Sequence, residues 1–78
     1  MSVYTSEALA SAKQLCRTLA SAPSPQARAQ AIFADLARTE GWTPKQEAKI
    51  RDFGNWLSER PPPAKLKERC QQLLAALA

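Results

Sequence analysis

The sequence predicts an all-α protein, a compact bundle of four short amphipathic helices over residues 5–21, 25–40, 44–60 and 64–77. Three observations predict it. Alanine is abundant and β-branched residues are scarce, which favours helix. Apolar residues recur at helical spacing, and no window alternates as a strand does. All six prolines, together with Gly41, fall in three short stretches that divide the chain into helix-length pieces. At 78 residues the chain reads as one domain, 1–78, and 45% apolar residues suffice for one modest core.

The first helix places Ala8, Leu9, Ala12, Leu15, Cys16 and Leu19 on one face, with Lys13, Gln14, Arg17 and Thr18 opposite. Its small alanines let a neighbouring helix approach closely. Ala22-Pro23-Ser24-Pro25 stops it, because a residue before proline avoids helical angles. Ser24 then caps the second helix and Pro25 fills its first turn, where a missing N–H costs nothing. The apolar face of that helix is Ala29, Ile32, Phe33, Leu36 and Ala37, and Gly41 is expected as a left-handed cap after Glu40.

Thr43, Pro44 and Gln46 give the third helix a cap, a first-turn proline and the glutamine of a capping box. Ile50, Phe53 and Leu57 form its buried stripe, and the helix is expected to end at Arg60. Pro61, Pro62 and Pro63 make a stiff extended connector. The last helix gathers Leu66, Cys70, Leu73, Leu74 and Leu77 into an arc about 100° wide. That arc could close the core of one chain or form the seam of a homodimer, a common aid to chains this small.

The residue inventory speaks against catalysis. The chain has no histidine, so ordinary acid–base chemistry and a Ser-His-Asp arrangement are absent. Gly41 and Gly54 stand alone, so no phosphate-cradling loop exists, and Asp35, Glu47, Asp52 and Glu59 lie on different helices or faces. Cys16 and Cys70 without histidine do not supply the four ligands of an ordinary zinc site. They are either buried free thiols or a disulfide between the first and last helices, the latter needing an oxidising compartment. We expect no enzyme, no cofactor and no metal.

A membrane role is not expected. The longest apolar run, Leu73 to Ala78, falls far short of the roughly 20 residues a spanning helix needs. The N-terminal stretch from Met1 to Glu7 lacks the basic start and apolar run of a secretion signal. The sequence therefore reads as a cytoplasmic protein.

The functional candidates lie around the third helix. Trp56 projects about 80° to one side of the core stripe, on the side of Lys45, Lys49 and Asp52. Such a Trp is either a contact residue, as Trp often is at binding hot spots, or a core-edge residue roofed by lysine stems. Trp42 presents the same choice. Its usual packing mate inside the helix would be Glu47, which is polar, so Trp42 is drawn towards the end of the second helix instead.

Residues 24–60 also resemble a helix-turn-helix unit, with Ala37 and Gly41 at the expected spacing and Leu36 and Ile50 at apolar positions. Glu47 departs from that pattern. The resemblance implies that Thr43, Lys45, Gln46 and Lys49 would face a DNA major groove and its phosphates. A net charge of +4 is compatible with this, but the bases do not pool: Lys65 and Arg69 flank one side of the last apolar arc and Lys67 the other. Asp35–Arg38 and Glu47–Arg51 are spaced for pairing along their helices. Two functions follow. The first is a non-enzymatic protein-binding module, an adaptor or inhibitor of a larger partner, using Trp56, Lys45, Lys49 and Trp42. The alternative is a small DNA-binding regulator using Thr43, Lys45, Gln46 and Lys49.

Overall fold

A computed structural model describes residues 3–78; Met1 and Ser2, which begin the stretch read for a secretion signal, lie outside the described residues. The chain forms four helices, α1 (Val3–Arg17), α2 (Pro25–Arg38), α3 (Pro44–Ser58) and α4 (Pro63–Leu77), with no strand among the described residues. Helices adjacent in sequence pack side by side, and α1 closes on α4. Across the centre α2 touches α4, whereas α1 and α3 do not meet. The radius of gyration, 11.5 Å, equals the roughly 11.5 Å expected of a close-packed chain this long. No helix is long and apolar enough to cross a membrane.

Helix starts follow the sequence more closely than helix ends. Ser24 accepts the Ala27 N–H at 3.4 Å, and Thr43 with Gln46 forms the full capping box. In contrast, α1 ends at Arg17, four residues early, because the chain tightens into turns in which the Leu19 N–H reaches the Cys16 carbonyl at 3.2 Å. That turn drives Leu19 fully into the core. Helix α2 stops at Arg38, where the Thr39 hydroxyl donates back to the Asp35 carbonyl at 2.6 Å and the Thr39 backbone becomes extended. Gly41 does adopt a positive φ of 108°, but inside the following turn and not as the cap. After α3, Arg60 takes the left-handed position with φ 54°, where glycine is usual.

The four predicted apolar faces converge on one core, capped by Trp42. Two details differ from the sequence pattern: Ala37 is exposed, and Ala8, Leu15 and Phe33 are only partly buried. The arc of α4 is consumed by the chain's own core, with Leu66, Cys70 and Leu77 fully buried. Alanines such as Ala75 and Ala76 are what this part of α4 leaves exposed. Gly54 lies beneath the Phe33 ring, where any Cβ would overlap it, which explains a glycine mid-helix at the α2–α3 contact. Of the two spaced ion pairs, Arg38–Asp35 forms. Glu47 and Arg51 are both exposed and stay apart, since ordering two solvated side chains offsets the small gain of a surface pair.

Candidate functional site

The capping box at the start of α3 also ties that helix to the last one. The Gln46 N–H donates to the Thr43 hydroxyl at 3.2 Å, and the Thr43 N–H donates to the Gln46 side-chain oxygen at 2.9 Å. The same amide then donates through Nε2 to the Leu77 carbonyl at 3.0 Å, satisfying one of the unpaired carbonyls that every helix leaves at its end. Thr43 and Gln46, expected to read DNA in the helix-turn-helix alternative, thus have their side chains engaged with backbone groups.

Trp42 lies in the core. Its indole is 7% exposed and donates through Nε1 to the Leu36 carbonyl at 2.9 Å, closing the end of α2. This corrects the expectation of Trp42 as a contact residue: a ring held inside by burial and by its own hydrogen bond offers a partner little surface, only an edge in a hollow between α2 and α3. Lys45 and Lys49 are exposed on the outer face of α3.

Trp56 is half-buried two turns beyond Lys49. Its ring packs on Phe53 with centroids 5.9 Å apart and planes inclined at 32°. The other cover comes from α4: the Arg69 guanidinium carbon lies 5.4 Å from the ring centroid, within range of a cation–π contact. The sequence suggests lysines as the roof of this Trp, and in the structure Arg69 takes that role. Beside it runs a groove of about 210 Å³ between α3 and α4. Phe53 and Leu73 form its apolar base, Lys49 and Asp52 one wall, and Arg69 and Gln72 the other. Among the described residues Asp52 forms no ion pair with either cation, so the walls keep a net positive charge.

A larger hollow of about 630 Å³ separates α1 from α2, beside the exposed Val3 and Tyr4. Its walls include Glu7, Glu40 and the already paired Asp35 and Arg38. Its aromatic, Tyr4, is exposed, whereas the α3–α4 groove has the buried Phe53 at its base.

Cys16 and Cys70 are free, buried thiols at the α1–α4 contact. Burial, and then the adjacent Cys16, push the Cys70 thiol from its ordinary 9.0 up to about 12. Folding therefore favours the protonated form. The stability this contributes is fully present below pH 9 and is lost as pH rises towards 12. We expect urea midpoints to fall over that window, and to fall less steeply in Cys70→Ala, which lacks this thiol. Equal slopes for both proteins would remove Cys70 from the effect.

Among the described residues, no three His, Cys, Asp or Glu side chains converge to hold a metal ion. Comparison with family models, curated proteins and solved structures gives no match to this chain.

Proposed function

We propose that the protein is a non-enzymatic binding module that docks a segment of a larger protein in the α3–α4 groove, with Trp56 and Arg69 as its anchors. The carrying observation is Arg69, a wall of that groove whose guanidinium carbon lies 5.4 Å from the centroid of the half-buried Trp56 ring. Trp and Arg dominate the binding energy of protein interfaces, and here Phe53 already holds the ring in place. A pre-set aromatic loses little conformational freedom on binding. Lys49 and Arg69 outnumber Asp52 on the walls, and Lys45 lies one turn before Lys49. The fitting occupant is thus an apolar or aromatic side chain flanked by carboxylates. Free Cys16 and Cys70 fit a cytoplasmic location, where thiols stay reduced.

Selection from a displayed peptide library tests this, because the library itself reports the preferred sequence. Selected peptides should share an apolar side chain beside Asp or Glu. Trp56→Ala should weaken their binding about 30-fold or more, the size of a 2 kcal/mol anchor, while the variant stays folded with a melting temperature lower by several degrees as its packing on Phe53 is lost. Peptides that bind the variant equally well would refute the site, and a collapse in stability would return Trp56 to the core. The same protein titrated with a mixed-sequence duplex supplies the contrasting outcome. Affinity that falls on the order of a thousandfold between about 50 and 200 mM salt, and is lost in Lys45→Ala and Lys49→Ala, would assign the surface to DNA.

A further inference from the structure

The α3–α4 groove makes no use of the two cysteines, which are the chain's only nucleophilic pair. Cys16 faces α4 from α1, with its Sγ 3.9 Å from the carbonyl oxygen of Lys67, one turn before Cys70 on the same helix. The two thiols therefore stand at the same height of one helix–helix contact, and both are buried. We propose that Cys16 and Cys70 form a dithiol site that reduces anionic low-molecular-weight disulfides and in doing so closes a bond stapling α1 to α4. This inference stands independently of the groove.

The surroundings of the pair specify the substrate. A hollow of about 340 Å³ lies between α1 and α4, lined by Cys16, Lys13 and Arg17 on one side and Gln71, Leu74 and Ala75 on the other. Two cations and no carboxylate line it, so it attracts a disulfide carrying carboxylates. Cys16 borders this hollow, whereas Cys70 is fully buried and absent from its lining. Cys16 is accordingly the sulfur that an incoming molecule meets first, and Cys70 the one that resolves.

The exchange balances in two steps. Cys16 releases its proton to solvent and its sulfur attacks one sulfur of the external disulfide. The external S–S bond breaks, and the first thiolate leaves and takes up a proton. Cys70 then releases its proton and attacks Cys16 Sγ, forming the internal bond and expelling the second thiolate, which is protonated in turn. Two protein thiols are oxidised, and one external disulfide is reduced to two thiols. Burial keeps Cys70 protonated and unreactive towards solutes, but the second step is intramolecular, where proximity replaces reactivity.

The experiment uses oxidised glutathione and the folded, reduced protein without denaturant. After an acid quench, the protein is denatured and alkylated. Expected is a monomer two hydrogens lighter that takes no alkyl group, melts on the order of 10 °C higher and reverts with dithiothreitol, because the bond restricts the unfolded chain across most of its length. Cys70→Ala should stop at one glutathione adduct on Cys16, and Cys16→Ala should take none. Unchanged thiols, two stable adducts, a covalent dimer, or oxidation seen only after urea is added would each overturn the proposal. Should either variant fail to fold, the mass and melting temperature of the unaltered chain decide the matter alone.

Discussion

Phe53→Ala is expected to lower the melting temperature by more than about 15 °C, or to erase the cooperative transition altogether. The side chain is 1% exposed on the buried stripe of α3 and packs on the ring of Trp56. Truncating a buried Phe costs about 3–5 kcal/mol, the lost burial plus the cavity left behind. A chain of this length has only about 4–12 kcal/mol to lose. The neighbours that would have to collapse into the space, Trp56 among them, are already held by packing of their own, so little relaxation is available. Circular dichroism melting of the variant checks this. A loss under about 5 °C would mean that the α3–α4 contact is looser than described.

Trp42→Ala should cost nearly as much, about 3–5 kcal/mol, and Trp42→Phe separates the two contributions the indole makes. Phenylalanine keeps most of the buried area but removes the indole donor that the Leu36 carbonyl meets at 2.9 Å, leaving it the Thr39 N–H at 3.3 Å. Losing one hydrogen bond from an oxygen that keeps another costs about 0.5–1.5 kcal/mol, so the Phe variant should melt between the parent and the Ala variant. Urea unfolding of the three proteins gives the comparison. Equal stability of Trp42→Phe and the parent would show that the Thr39 N–H suffices for the Leu36 carbonyl, and that Trp42 acts through its area alone.

The parts of the fold written in local chemistry were legible. Ser24-Pro25 and Thr43-Pro44 start helices because a side-chain oxygen and a proline act within one turn, and both starts stand where the sequence put them. Helix ends were less legible because the device at each end was not the one composition suggests. Thr39 stops α2 with its own hydroxyl before Gly41 is reached, and Arg60 adopts a glycine-like conformation ahead of Pro61. The outer face of α3, with Lys45, Lys49 and Trp56, was visible from helical periodicity alone. Arg69 over Trp56 was not, nor was Gln46 on the Leu77 carbonyl. Both contacts join residues from different helices, and periodicity says which way a side chain points but not which helix it meets.

The connector between α3 and α4 has a kinetic consequence. Residues 59–62 join the two helices, with Arg60 at φ 54° and prolines before and within the start of α4. A tether this short and stiff keeps a momentarily detached α4 within a few residue lengths of its seat, at an effective concentration of about millimolar or above. Helix α4 is in this sense a built-in ligand of the other three, and Gln26 fastens the tether's end by donating to the Pro61 carbonyl at 3.2 Å. A helix from another protein at micromolar concentration would have to outcompete that tethered copy to take its place, so foreign helices are turned away from the core and left the outer surface.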